Sequence, residues 1–150
     1  MGAMRTLVQD VIDLIEAIPF IGPPAGTTLT LSPAAVNSLN IPNLSTEHTF
    51  SVTLQTTNTD KFRDRSPSGV TRVGHTLTVS LLCRIFPNNQ MEGYLDAIDL
   101  EERITAFMLI QSSLPNYRTF YDRTRRTLTS SGEYVLIDID FDMEQTLKVP

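Results

Sequence analysis

Residues 134–144 read Tyr134-Val135-Leu136-Ile137-Asp138-Ile139-Asp140-Phe141-Asp142-Met143-Glu144. Val135, Ile137, Ile139, Phe141 and Met143 alternate with Leu136, Asp138, Asp140, Asp142 and Glu144, the period of two that sends successive side chains to opposite faces of a strand. One face is apolar and the other acidic, so the segment predicts a half-buried strand. With residues 117–129 it reads as a hairpin around Ser130-Ser131-Gly132. A two-residue Ser131-Gly132 turn sets Arg125 opposite Asp138 and Arg123 opposite Asp140, whereas a three-residue turn sets Asp122 opposite Asp140. Cross-strand charge pairing favours the first. That register leaves Asp122 and Arg126 on the apolar side, which only a partner or an unburied strand end explains.

Two earlier segments alternate in the same way. Residues 48–55 interleave Phe50, Val52 and Leu54 with threonine and serine, and residues 72–86 place Val73, Leu77, Val79, Leu81, Cys83 and Ile85 on one face. Between them, residues 59–72 are rich in charge, Pro and Gly and predict a long, flexible basic connection. Residues 5–18 carry Leu7, Val8, Val11, Leu14, Ile15 and Ile18 at helical steps with Asp10, Asp13 and Glu16 between them, an amphipathic helix that stops before Pro19. After Pro87 two capping pairs compete, Asn89 with Glu92 and Asp99 with Glu102. The second is followed by Ile104, Phe107, Met108 and Gln111 at helical spacing, with acids in its first turn. It predicts a main helix over 99–113, preceded by an irregular or briefly helical lead-in.

From Ala17 to Thr46 there is no charged residue, yet there are five prolines. Stretches of this length without regular structure are uncommon in compact domains, and disordered chains are normally rich in charge. Residues 19–47 therefore read as an extended, Pro-rich arm lying against something, or as a loop laid on its own domain with a short strand at 28–31. The whole of 1–150 reads as one α+β domain: an antiparallel or mixed sheet of about four strands, one or two helices packed on one face, and the long arm.

With 12 basic and 17 acidic side chains the net charge is -5, which argues against a general nucleic-acid or membrane-surface binder. One cysteine excludes an intrachain disulfide framework, and two distant histidines exclude a Cys/His zinc cluster. The start of the sequence has neither a signal-peptide core nor a membrane span, which predicts a protein made and kept in a cytosol-like compartment.

Motifs for chemistry are missing. Gly22 and Gly26 flank two prolines and precede no lysine, so they make no phosphate-binding loop. Asp138, Asp140 and Asp142 have the spacing of the first ligands of a calcium loop, but Met143 and Val149 occupy the positions that need Gly and Glu. The solvated face of a strand accounts for them. Cys83 and His75 fall in phase with the apolar face of their strand and read as packing residues. No catalytic residues, metal ligands or cofactor are expected, and the reading is of a protein that is not an enzyme.

Charge is instead segregated along the chain. Residues 61–72 carry four bases (Lys61, Arg63, Arg65, Arg72) and one acid, and residues 118–126 repeat that ratio with Arg118, Arg123, Arg125 and Arg126. Residues 92–102 carry five acids, Asp99, Glu101 and Glu102 among them, and no base; residues 133–144 do the same. Neutralisation within the hairpin covers part of this. Opposite patches on different sides of one molecule suit a head-to-tail interface, which closes into a ring when the rotation allows.

The order of amphipathic helix, extended arm, paired strands with a basic loop, the Asp99-Leu100-Glu101-Glu102-Arg103 helix start and the closing strand resembles the tail terminator proteins of long-tailed bacteriophages; related neck and tail-completion proteins look similar. The resemblance implies a hexameric ring in the virion, assembled in the host cytoplasm without a membrane. Its partners would be sister copies, the tail-tube protein whose last ring it caps, the head–tail connector, and DNA passing through the lumen without sequence-specific contacts. Carried onto this chain, Lys61, Arg63, Arg65 and Arg72 become a loop ordered on assembly, and Arg123, Arg125 and Arg126 an inter-subunit or tube-facing surface, with Asp99, Glu101 and Glu102 as acidic counterparts. Either the basic loop or Asp138, Asp140 and Asp142 would line the lumen. Two readings of other classes stand beside it: a nucleic-acid-binding module using the arginine clusters, and a small hydrolase.

Overall fold

The computed structural model describes residues 2–18, 20–22, 27–29, 32–33, 49–59, 70–85, 90–129 and 132–148. In chain order these form α1 (Ala3–Glu16), β1 (Phe20–Gly22), β2 (Thr27–Leu29), β3 (Ser32–Pro33), β4 (Thr49–Thr59), β5 (Val70–Arg84), α2 (Gln90–Leu109), β6 (Arg118–Leu128) and β7 (Tyr134–Lys148). The short β1 and β2 make a separate antiparallel pair, and the main sheet has the order β3-β4-β5-β7-β6. Its four long strands are antiparallel, with the two-residue β3 joined in parallel to the start of β4. The α+β class and the four-stranded antiparallel sheet follow the sequence reading.

Alternation decides which side of the sheet is covered. Leu77, Val79, Leu81 and Cys83 of β5 and Val135, Ile137, Ile139, Phe141 and Met143 of β7 form one buried layer with Phe50 and Val52 of β4. Leu7, Val11 and Ile15 of α1 and Ala97, Leu100, Ile104 and Met108 of α2 close over it, so both helices pack on the same face. Each such side chain contributes roughly 1.5–3 kcal/mol by leaving water. Burial pushes the Cys83 thiol up to about 12.

His75 is a packing residue, as its phase suggests. Its Nε2 donates to Gln145 Oε1 (2.7 Å) and its Nδ1 accepts from the Thr57 hydroxyl (2.8 Å), and Gln145 Nε2 donates onward to the Ala3 carbonyl (3.0 Å). The relay ties β4, β5 and β7 to the first turn of α1 and leaves no ring nitrogen unsatisfied.

The main helix departs from expectation. It begins at Gln90, nine residues before Asp99, so the expected lead-in is part of the helix and Asp99 lies mid-helix; Asn89 lies outside the described residues. The acids at 99–102 imitate a first turn, but burial follows Gly93, Ala97, Leu100, Ile104 and Met108, one continuous stripe. Gly93 belongs to it because the helix crosses the end of β5 closely: a Cβ there would stand 3.3 Å from Ile85 Cγ2.

Of the predicted arm, β1, β2 and β3 are described, and the rest of 19–47 lies outside the described residues. β4 and β5 enter the predicted basic connection from both ends; its remaining residues 60–69 also lie outside them.

Candidate assembly surface

The face of the sheet turned away from the helices is built in cross-strand rows. β5 and β7 set Thr76 opposite Asp142, Thr78 opposite Asp140 and Ser80 opposite Asp138. The Thr78 and Ser80 hydroxyls donate to Asp140 and Asp138 at 2.6 Å, and Thr76 reaches Asp142 at 3.4 Å. β6 extends the rows on the other side, with Arg123 opposite Asp140 and Arg125 opposite Asp138, the register of the two-residue turn. Arg123 Nε donates to Asp140 Oδ2 at 3.0 Å, and Arg125 Nη2 lies 3.6 Å from the same oxygen. Asp140 thus accepts from a hydroxyl and faces two guanidinium groups, which accounts for a carboxylate only 3% exposed. The acidic run of the sequence becomes a mixed face, and Arg123, Asp122 and Thr56 flank a shallow cavity of about 540 Å³ across it.

The hairpin also resolves the two charges the register left on the apolar side. A bulge between Tyr121 and Arg123 takes Asp122 out of the ladder, and Asp122 lines the polar-face cavity instead. Arg126 stays on the helix side. Its Nε and Nη2 donate to Glu101 Oε1 and Oε2 of α2, both at 2.6 Å. The hydrogen bond to Glu101 holds the guanidinium still more firmly protonated than usual. No sister copy is needed for these residues: β6 is exposed along most of its length, as the unburied-strand alternative has it, and Glu101 and Arg126, expected on an inter-subunit surface, are matched to each other inside the subunit.

β6 forms one edge of the sheet. Arg118 lies 5.5 Å over the Phe120 ring and 3.7 Å from Glu144 Oε2. Phe120, Tyr121 and Leu128 are each about half exposed. Tyr121 meets Phe141 edge-on at 6.2 Å between ring centroids. Beside the end of β6, Leu128 joins Met91 and Tyr94 of α2 and Ile85 around an apolar groove of about 280 Å³. The sequence reading missed this groove. Its signal was the helical spacing of Met91, Tyr94, Leu95 and Ile98, hidden by starting the helix at Asp99.

The other named residues are dispersed. Asp99 and Glu102 are exposed on α2, and Arg72 is exposed on β5 opposite Thr146. Lys61, Arg63 and Arg65 lie outside the described residues. Glu92, Asp96 and Asp99 follow one another along one side of α2, where desolvation and the two like-charged neighbours raise the Asp96 carboxyl above its ordinary range. Among the described residues no three His, Cys, Asp or Glu side chains gather as metal ligands, and no helix is long and apolar enough to cross a membrane. No protein-family model matches the sequence, and no curated protein is significantly similar to it.

Proposed function

We propose that the chain is a structural virion subunit that assembles into a ring, hexameric by the resemblance, at the head-proximal end of a phage tail tube, where it ends tube growth and joins the tail to the head connector. The observation that supports this best is the β6 edge: eleven residues with one long side unpaired among the described residues, bearing four arginines and three half-exposed apolar side chains. Open strand edges are templates for another chain, and natural sheets normally keep them short or covered. A subunit that completes itself in an assembly has reason to keep one. The mixed face with Asp138, Asp140 and Asp142 is the candidate lumen lining, since paired aspartates and arginines offer passing DNA no continuous cationic track.

The nucleic-acid-binding alternative gains little support, because Arg123 and Arg125 face Asp140 and Arg126 holds Glu101. Native mass spectrometry and negative-stain microscopy of the protein, alone and with tail-tube protein, test the proposal. A closed ring, or a ring formed on tube ends, is expected; a species that stays monomeric and never associates with tube ends overturns it.

A further inference from the structure

The side chains of β6 already show which kind of neighbour they accept. Toward the helices, Tyr121, Thr124 and Leu128 stand opposite Phe141, Ile139 and Val135 of β7; on the other face, Arg118, Arg123 and Arg125 stand opposite Glu144, Asp140 and Asp138. The inner neighbour is thus a strand that alternates apolar residues with acids. A side chain on a strand stands upright from the sheet and is within reach of the strands on both sides. The outer side of β6 therefore offers a second neighbour the same two rows.

Both rows are open there. Arg123 donates to Asp140 through its Nε, Arg125 lies against the same carboxylate through Nη2, and Arg118 approaches Glu144 through Nη1. All three guanidinium groups stay more than half exposed, and a guanidinium is a fork of several N–H donors, so these inward pairs leave donors for a carboxylate beyond the edge. In the other row Tyr121 and Leu128 are exposed, and α2 carries the apolar surface outward. The Arg126 hydrogen bonds turn the Glu101 flank of α2 toward β6; Tyr94 and Ile98 share that flank at helical spacing, with exposed Met91 and Leu95 next to them. An open backbone edge is thus bordered by guanidinium groups on one face and by an apolar shelf on the other.

We infer that the β6 edge is a docking site for an extended segment of another protein, added as a further strand, whose alternate side chains are apolar toward α2 and acidic toward Arg118, Arg123 and Arg125. Unpaired strand edges take up extended segments through main-chain hydrogen bonds, and the alternate side chains give the selectivity. The segment comes from another protein because β7 alone among the described strands has this alternation, and β7 already lies between β5 and β6. The described strands of a sister copy offer no second one. The inference rests on the assembly reading for why the edge stays open, and it names what the edge accepts.

A fluorescein-labelled peptide with the sequence of residues 134–144 serves as the probe, since it carries the required alternation. Anisotropy titrations against the intact protein are expected to saturate. Hydrogen exchange is expected to show added protection at β6 amides with none lost from β7, which separates docking on the edge from replacement of the native strand. A peptide carrying Asp138→Lys, Asp140→Lys and Asp142→Lys together is expected to bind about tenfold more weakly or worse, as is the parent peptide to the protein variants Leu128→Lys and Met91→Lys. Both positions are exposed, thermal melts establish that each variant folds, and the lysine peptide decides the matter even where neither does. The inference is overturned if the parent peptide shows no saturable binding up to about 1 mM, if the lysine peptide binds equally well, or if the protein alone shows concentration-dependent protection of β6 by a second copy. Native mass spectrometry with and without tail-tube protein keeps the two readings apart. Assembly without peptide binding overturns the docking site and leaves the ring reading standing, whereas peptide binding by a protein that never assembles upholds the docking site and removes the ring reading.

Discussion

Arg126 on the edge strand and Glu101 on α2 form a bidentate pair, each hydrogen bond 2.6 Å long, that ties the outermost strand to the helix layer. The carboxylate is buried and the guanidinium is 42% exposed, so water screens one partner only. Removing the arginine strands a buried charge, whereas removing both leaves a rim that apolar side chains can fill. Arg126→Met is expected to lower unfolding free energy by about 2 kcal/mol, and the double variant Glu101→Leu/Arg126→Met by less than the sum of the single changes. Urea titrations of the four proteins check this.

A second expectation concerns the Cys83 thiol. A group held near 12 by burial is almost entirely protonated at pH 8, and the thiol is a poor nucleophile compared with its thiolate. Alkylation by iodoacetamide at pH 8 should therefore be negligible in the folded protein and should rise with the unfolded fraction as urea is added. Rapid labelling without urea would contradict the placement of Cys83 in the core.

On α2, Glu92, Asp96 and Asp99 repel one another at four- and three-residue spacing. Asp96→Asn is expected to stabilise the protein by about 0.2–0.5 kcal/mol near neutral pH, the scale of a like-charge helix pair. Because the Asp96 carboxyl is raised above its unfolded value, protonation is easier in the folded state. The native protein therefore recovers this deficit as pH falls through the folded value, and the advantage of the variant should shrink between neutral and acidic melts. A gap that widens on acidification would refute the assignment.

The Tyr117 hydroxyl donates to Asp10 Oδ2 at 2.6 Å, linking the approach to β6 with α1. Partial burial, that hydrogen bond and the nearby carboxylate all disfavour the phenolate and raise the group well above its ordinary value. Its contribution to stability is full below the unfolded value near 10 and is lost as pH rises above it. Tyr117→Phe is expected to cost about 1 kcal/mol at pH 8 and to narrow the gap to the native protein above pH 10, as measured by chemical unfolding at the two pH values.

Much of the fold was legible because period-two patterning is a strong local signal. The strand at 134–148, its cross-strand partners Arg123 and Arg125, and the packing roles of His75 and Cys83 all follow from it. The start of α2 did not, because capping is a three-residue signal and Asp99 with Glu102 reproduces it inside a helix. The pairing of Arg126 with Glu101 was not legible for a different reason: its partner lies on another element, and no local pattern carries that information. The apolar groove beside Leu128 depends on how α2 leans toward β6, and tertiary packing alone sets that.

The position of β7 has a bearing on how the molecule is made. Of the strands described it leaves the ribosome after all the others, yet it lies between β5 and β6 and spans the sheet from Val70↔Lys148 to Arg84↔Tyr134. A nascent chain that has reached Leu128 already holds both flanking strands but not the one that separates them, so the central ladder cannot form stepwise during translation. Until it is synthesised, the free side of β5, whose other side is held by β4, and β6 have only each other to pair with among the described strands, and a ribosome that stalls short of Tyr134 releases a polypeptide inclined to that mispairing.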